Sequence, residues 1–163
     1  RVLDLGTGSG ALLLAVLSER PQAWGLGVDR SESALLVARG NAVRLGFGAR
    51  AAFLRGDWAS ALDTRFDLVL CNPPYVESDA ALDAGVRDHE PASALFAGAD
   101  GLDDYRRLIP QLPDLLTDAG MCCLEIGWQQ AAAVSAIAAT AGLSATVRHD
   151  LAGRDRCLVL RKQ

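Results

Sequence analysis

The sequence has few of the features that mark membrane-bound, metal-binding or secreted proteins. No apolar run approaches the roughly 20 residues that a membrane helix needs, and these residues carry no signal-peptide or lipidation motif. The cysteines show no metal-ligand spacing, so we expect no metal site. We interpret them as reduced, buried thiols of a cytoplasmic protein. They are Cys71, Cys122, Cys123 and Cys157.

Positive charge is also scarce. The chain has 16 basic and 20 acidic residues, a formal net charge of -4 and a pI of about 5.1. Free-standing nucleic-acid-binding proteins usually have a basic patch, so we expect no direct binding to DNA or RNA. All basic residues except Lys162 are arginines, which could still cluster in space. Basic surface could also lie on another module.

The chain length of 163 residues is typical of one domain, and 50% of the residues are hydrophobic, which is enough for a packed core. The sequence starts at Arg1, without a methionine, and runs directly into an apolar segment. We therefore expect an N-terminal domain to be missing, and we interpret residues 1–163 as one monomeric domain.

Short apolar segments alternate with amphipathic ones, which predicts an α/β fold with a parallel sheet covered by helices on both faces. The last two strands are joined by a short turn and should be antiparallel. A long polar loop is predicted over residues 76–100. The predicted strands span residues 2–5, 23–28, 51–55, 66–71, 121–126, 144–148 and 157–160.

Helical spacing of apolar residues predicts the helices between these strands. The first helix should bury Leu12, Leu13, Val16 and Leu17. The second should start at Ser31 as its N-cap and bury Leu35, Ala38, Ala42 and Leu45. Pro110 and Pro113 should kink or split the third, and the last should span residues 129–141.

A glycine-rich loop follows the first strand, where open parallel sheets bind ligands. It consists of Gly6, Thr7, Gly8, Ser9 and Gly10. Glycines allow a tight turn and a close approach of the ligand to the backbone. The spacing also fits a dinucleotide-binding loop, so the loop alone does not distinguish a nicotinamide dinucleotide from S-adenosylmethionine.

Two further strand ends carry candidate cofactor residues. Asp29, after the second strand, is the expected acceptor for ribose hydroxyls, although an Asp here could instead cap the next helix. Asp57 and Trp58 follow the third strand and would lie beside an adenine. The indole could cover the base while the carboxylate accepts from its amino group, although Trp residues are more often part of a core.

The segment Asn72-Pro73-Pro74-Tyr75 follows the fourth strand and points to the chemistry. Asn72 offers a side-chain carbonyl, and the prolines fix the direction of the Pro73 carbonyl. Tyr75 offers a flat ring for stacking. Two fixed acceptors can orient both N–H groups of a planar nitrogen toward a methyl donor and favour lone-pair density on it. Methyl transfer to an amide or aromatic amine is therefore predicted, without a metal or strong base.

The ordered set GTGSG, Asp29, GDW and NPPY resembles the Rossmann-like amino-methyltransferases. More narrowly, the chain resembles the release-factor glutamine methyltransferase family, also called HemK or PrmC. The matching stretches cover nearly the whole chain. They are LDLGTGSGALLLAVL, VRDHEPASALFAGADGLDDYRRL, LEIGWQQ and HDLAGRDRCLVL.

The resemblance implies a doubly wound, seven-stranded sheet, mostly parallel with an antiparallel last strand. It implies that Gly6–Gly10, Asp29, Trp58 and Asn72 line the S-adenosylmethionine site, and that Asn72–Tyr75 hold the substrate glutamine amide. The substrate would be the glutamine of the Gly-Gly-Gln loop in class I peptide-chain release factors, with S-adenosylhomocysteine as the other product. The family also has a small helical N-terminal domain that helps to engage the release factor, and these residues do not include it.

Four alternatives stay open from the sequence. They are glutamine methylation of a ribosomal protein, amino methylation of adenine or guanine in nucleic acid, hydride transfer with a nicotinamide dinucleotide, and a non-catalytic cofactor-binding subunit.

Three ionisable residues near the predicted site are not assigned a chemical role. His89 and Glu90 are interpreted as residues that order the long loop, and Glu125 as facing either the cofactor or Arg156. Asp103, Asp104, Arg106 and Arg107 are interpreted as a solvated helix face.

Overall fold

The computed structural model describes residues 1–60, 62–78 and 96–163. Their strands form a seven-stranded sheet with the order β3-β2-β1-β4-β5-β7-β6. The strands are β1 (Val2–Leu5), β2 (Gly25–Asp29), β3 (Ala51–Arg55), β4 (Phe66–Cys71), β5 (Leu116–Glu125), β6 (Leu143–His149) and β7 (Asp155–Lys162). The helices are α1 (Ala11–Glu19), α2 (Glu32–Arg44), α3 (Asp103–Leu108), α4 (Leu112–Leu115) and α5 (Ala131–Thr140).

The strand directions confirm the predicted fold class. Strands β1 to β5 pair in parallel, and β7 lies antiparallel between β5 and β6. Strands β2 and β3 lie on one side of β1, and β4 and β5 lie on the other. The chain therefore reverses its winding direction between β1 and β4, and ligands of such sheets bind outside the carboxyl ends of the strands at this switch point.

Two apolar cores cover the two faces of the sheet. Helix α1 packs Leu13, Leu14 and Leu17 against the face that carries Val2 and Leu70. The opposite face carries the larger core, and helices α3, α4 and α5 contribute to it. Its largest fully buried side chains are Tyr105 and Phe66. Because strand side chains alternate between the faces, neighbouring residues of β1 enter different cores.

Two details of the predicted helix faces are wrong. Leu12 is 45% exposed, and Leu14 is buried in its place, because α1 meets the sheet one residue further around the helix. Leu45 is 56% exposed because α2 ends at Arg44 and Leu45 is only its C-cap. Ser31 is confirmed as the N-cap of α2, where its hydroxyl accepts the Ala34 N–H at 3.2 Å.

Several predicted boundaries also differ from the structure. Strand β2 starts two residues later than predicted, and α5 is shorter at both ends. Strand β5 starts at Leu116 rather than residue 121, because Leu116 pairs with Phe66 across a register shift that apolar periodicity does not reveal. The two prolines split the third helical segment as predicted, with a 3₁₀ turn at Ile109–Gln111 between α3 and α4.

The long loop is described only at its two ends. Val76 forms a parallel bridge with Phe96, and the Ser78 N–H donates to the Gly98 carbonyl at 3.0 Å. His89 and Glu90 lie outside the described residues. Within the described ranges, no helix has the length and apolarity to cross a membrane, and no three metal-ligating side chains lie close enough to hold an ion.

Candidate functional site

The glycine loop and the Asn72–Tyr75 segment emerge side by side at the switch point. Leu5, the last residue of β1, pairs with Cys71, the last residue of β4. Each strand end is followed at once by a candidate segment, so Gly6 and Asn72 leave the sheet next to each other. The topology therefore brings together the predicted cofactor loop and the predicted substrate segment.

The glycine loop is shaped by the backbone of β2. The N–H groups of Gly6 and Thr7 both donate to the Val28 carbonyl, at 2.9 and 3.0 Å. Gly8 has a φ of 54°, and a Cβ placed on it would meet no atom within 4 Å. The loop thus has a left-handed backbone that glycine adopts without strain, with open space beside it for a ligand.

Asp29 ties the loop to the start of α2. Its Oδ2 accepts the Gly8 N–H at 2.8 Å, and its Oδ1 accepts the Ser31 N–H at 2.8 Å. Asp29 therefore bonds to the residue that caps α2, Ser31, and is not itself the N-cap that the sequence left as an alternative. Each carboxylate oxygen keeps a second lone pair, so the predicted contact to ribose hydroxyls stays a prediction that this geometry permits.

Asp4 is a buried acid beneath the same loop that sequence reasoning missed. Its side chain is 1% exposed, and its Oδ2 accepts the Thr7 hydroxyl at 2.6 Å. Burial raises the pKa of Asp4 to about 6, against the opposing effects of the Thr7 hydroxyl and the Leu13 amide. The other oxygen, Oδ1, makes no hydrogen bond with any described residue. The signal in the sequence was a single Asp in the otherwise apolar strand VLDL.

Trp58 stands beside the glycine loop, as expected of a residue near the cofactor. A Cβ placed on Gly6 would lie 3.5 Å from the indole ring. Trp58 has a φ of 51°, and no other described residue except glycine has a positive φ. Bulky residues rarely adopt this conformation, and such strain often marks a functional site.

The neighbouring Asp57 is exposed, and its carboxylate accepts a hydrogen bond from the Arg107 guanidinium at 2.6 Å.

Asp104 corrects the interpretation of the α3 face as merely solvated. Its side chain is 16% exposed, whereas those of Asp103, Arg106 and Arg107 are 50% to 60% exposed. Burial raises the pKa of Asp104, while the Arg107 charge and the Trp58 indole N–H oppose this shift. Asp104 is therefore more shielded from solvent than its three charged neighbours, and its carboxylate lies near the Trp58 indole N–H.

The Asn72–Tyr75 segment leaves its predicted acceptor free. Asn72 is exposed and its side chain makes no hydrogen bond with any other described residue. Pro73 is buried and anchors the segment. Burial raises the pKa of the preceding Cys71 thiol well above its usual value, so this thiol stays neutral at physiological pH. The segment thus presents a neutral amide acceptor without a neighbouring nucleophile.

Tyr75 contacts Glu125 at the carboxyl end of β5. Its hydroxyl donates to Oε1 of Glu125 at 3.3 Å. Burial and the Glu125 charge raise the pKa of Tyr75, and the nearby Arg156 opposes this shift. The phenol therefore remains protonated at neutral pH. Glu125 thus contacts the predicted substrate segment, a partner that was not among the two that the sequence left open.

Residues 1–150 match a family model described as a methyltransferase domain. The chain belongs to this methyltransferase domain family. Membership favours methyl transfer over the hydride-transfer alternative, which the glycine loop and Asp29 had permitted.

Similar members include the release factor glutamine methyltransferase of Rhodospirillum rubrum. That protein is 48% identical over 166 residues, which cover 100% of this chain and 51% of the relative. The release factor glutamine methyltransferase of Caulobacter vibrioides is also 48% identical, over 97% of this chain and 56% of the relative. The chain thus spans about half the length of these curated relatives. The resemblance derived from the motifs is confirmed.

Solved structures confirm the fold of this methyltransferase domain. The ribosomal protein L11 methylase of Lactobacillus delbrueckii subsp. bulgaricus aligns with a TM-score of 0.74 at 21% identity. The alignment covers 99% of this chain and 70% of that protein. A likeness at this level of identity concerns the fold alone.

Proposed function

We propose that residues 1–163 form the catalytic domain of an S-adenosylmethionine-dependent protein-glutamine methyltransferase. Its substrate is the side-chain amide nitrogen, N5, of the glutamine in the Gly-Gly-Gln loop of class I release factors. The observation that carries this proposal is the adjacency of Gly6–Gly10 and Asn72–Tyr75 at the switch point. The names of the relatives support the choice of substrate.

The described residues suit S-adenosylmethionine, a cation that carries a ribose, an adenine and an amino acid. Gly6–Gly10 offer open space along the backbone, and Asp29 has lone pairs for hydroxyl groups. The buried Asp4 has an oxygen without a hydrogen bond, which favours a donor or a positive charge nearby. Trp58 offers an aromatic face beside the loop. When bound, this cofactor supplies an electrophilic methyl group on a sulfonium.

The substrate side of the site orients a weak nucleophile. The Oδ1 of Asn72 and the carbonyl oxygen of Pro73 accept the two N–H groups of the glutamine amide. The ring of Tyr75 stacks on the amide plane, and Glu125 holds the phenol through its 3.3 Å hydrogen bond. These fixed acceptors stabilise the positive charge that grows on nitrogen as it gains a methyl group, and the nitrogen then releases a proton to water. No strong base is needed.

The proposed substrate places the reaction in the cytoplasm. All of the proposed site residues lie on one chain, so one protomer holds a complete set and we expect a monomer to act. Docking of a whole release factor need not depend on residues 1–163 alone, because the relatives are about twice as long.

The decisive test is methyl transfer from labelled S-adenosylmethionine to a purified class I release factor, with the modified residue located by peptide mass spectrometry. Residues 1–163 are assayed alone and together with any residues that the gene encodes upstream of Arg1. One methyl group on the Gly-Gly-Gln glutamine supports the proposal, and Asn72→Ala should abolish it. Methylation only of a ribosomal protein or of nucleic acid would replace release factors as the substrate. Unchanged transfer by Asn72→Ala would refute the assigned site.

A further inference from the structure

Gln130 connects three segments at the edge of the candidate substrate site. Its Nε2 donates to the Tyr75 carbonyl at 3.0 Å and to the Gly101 carbonyl at 3.3 Å. Its Oε1 accepts the Gly127 N–H at 2.9 Å and the Tyr105 hydroxyl at 3.3 Å. One side-chain amide therefore links the Asn72–Tyr75 segment, the start of α3 and the end of β5.

The orientation of this amide is determined by its partners. Both neighbours of Nε2 are carbonyl oxygens, and Oε1 faces the Gly127 N–H and the Tyr105 hydroxyl, whose proton is shared with the Glu125 carbonyl at 3.0 Å. A rotation by 180° would put like groups against each other, so the contacts allow one orientation. Gln130 is also the N-cap residue of α5, yet its side chain makes no capping hydrogen bond to that helix. The amide serves the neighbouring segments instead of its own helix.

Two glycines make room for this junction. A Cβ on Gly101 would lie 2.5 Å from the Tyr75 carbonyl oxygen and 2.8 Å from Nε2 of Gln130. A Cβ on Gly127 would lie 2.9 Å from Oε1 of Gln130. Real Cβ atoms do not approach other atoms so closely, so any side chain here would push the amide away from Tyr75. The backbone around Gln130 is thus built for close contact.

We propose that Gln130 is a positioning residue for methyl transfer, which acts by fixing the Tyr75 carbonyl and hence the geometry of the Asn72–Tyr75 segment. This inference rests on the proposed function, because it assumes that this segment holds the substrate amide. Gln130 does not itself touch the substrate. The acceptor half of its amide, Oε1, bonds to the turn after β5, whereas the donor half, Nε2, bonds to the carbonyls of Tyr75 and Gly101. Mutation can therefore remove one half and keep the other.

Gln130→Glu separates the two halves. The variant keeps an acceptor for Gly127 and Tyr105 but replaces the donor with an oxygen that repels the carbonyls of Tyr75 and Gly101. Gln130→Met removes both halves at similar volume without adding charge. Gln129→Glu is the matched control, because it adds the same charge at an exposed neighbouring position.

Three quantities are measured for each variant. They are kcat/KM for release-factor methylation, the Kd for S-adenosylhomocysteine by calorimetry, and hydrogen exchange of the 72–78 segment by mass spectrometry. We expect Gln130→Glu to lower kcat/KM by roughly 30- to 100-fold, because a displacement of about 1 Å can cost 100-fold in rate. The Kd should change by less than about threefold, and exchange of the segment should be about tenfold faster. Gln129→Glu should leave all three unchanged.

The outcomes separate this inference from the proposed function. Failure of the unmutated protein to methylate release factors, both as residues 1–163 and with any residues that its gene encodes upstream of Arg1, refutes the proposed function, while the exchange measurement still tests the positioning of residues 72–78. Unchanged exchange and turnover in Gln130→Glu overturn the inference. Equal losses of turnover and of S-adenosylhomocysteine affinity overturn it too, because they indicate general damage. Should Gln130→Glu fail to fold, Gln130→Met is measured in the same way and decides.

Discussion

The carboxylate of Asp29 accepts the N–H of Gly8 across 2.8 Å, so the end of β2 holds the loop that follows β1. The other carboxylate oxygen accepts the Ser31 N–H at the start of α2. A single acidic side chain therefore fixes a ligand loop and a helix start together. Because the carboxylate is only half-buried, its remaining lone pairs stay accessible to a ligand.

Asp29→Ala should weaken S-adenosylhomocysteine binding by roughly 10- to 100-fold. Hydrogen bonds to charged groups contribute about 1.5–3 kcal/mol each, and the variant loses the proposed ribose contact as well as the bond that shapes the loop. Calorimetric titration measures the change, and Asp63→Ala, at an exposed position, is the matched control. Wild-type affinity in Asp29→Ala would mean that the ribose binds elsewhere.

Asp104→Ala should weaken the same ligand by about 3- to 10-fold. The Asp104 carboxylate lies near the Trp58 indole N–H, and loss of one such polar contact costs about 0.5–1.5 kcal/mol. Asp103→Ala removes the neighbouring, exposed carboxylate and should have no effect on binding. Equal affinities of the two variants would show that the indole needs no support from α3.

Asp4 should make the free energy of unfolding depend on pH. Its pKa is raised to about 6 in the folded chain from the usual 3.8. The folded state thus retains a proton that the unfolded state has released, so stability is full below about pH 4 and declines as the pH rises to about 6. The loss is at most roughly 3 kcal/mol, since one pKa unit corresponds to about 1.4 kcal/mol.

Urea unfolding of wild type and Asp4→Asn between pH 4 and pH 7 tests this dependence. Asparagine keeps an acceptor for the Thr7 hydroxyl but does not ionise. Its stability relative to wild type should therefore increase across the interval. A constant difference between the two proteins would contradict a raised pKa at Asp4.

The fold was predictable because its main signals are local and strong. Alternation of apolar segments located every strand, and the two prolines predicted the split between α3 and α4. The early start of β5 was not predictable, since it depends on the pairing of Leu116 with Phe66 and not on its own sequence pattern. The exposure of Leu12 and Leu45 depends on how each helix meets the sheet.

The candidate site was predictable where a motif follows a strand end. Gly6–Gly10, Asp29, Trp58 and Asn72–Tyr75 all lie at the carboxyl edge of the parallel strands. The supporting residues were missed because their importance comes from contacts distant in sequence. Gln130 meets Tyr75 across 55 positions, and no spacing rule reports such a contact. Asp104 looked like one charge among four on a helix until its burial distinguished it.

The cysteines differ in exposure, which revises the expectation that they are uniformly buried. Cys71 and Cys122 are buried, whereas Cys123 and Cys157 are half-buried. Cys123 and Cys157 are diagonal neighbours on the β5–β7 pair, because Cys123 pairs with Val159 and Glu125 pairs with Cys157. Their side chains therefore share one face of the sheet.

Cys123 should be the most reactive thiol of the four. The Cys157 thiol and the charges of Arg161 and Arg148 lower the pKa of Cys123 to about 7, whereas burial raises the pKa values of Cys71 and Cys122. Alkylation needs the thiolate, so its rate at Cys123 should rise with a midpoint near pH 7.

Peptide mass spectrometry after brief iodoacetamide treatment measures the extent of alkylation at each cysteine. Cys157→Ala should move the midpoint toward the usual value of about 8.5. Fastest labelling at Cys71 or Cys122, or an unmoved midpoint in Cys157→Ala, would contradict this role for Cys157.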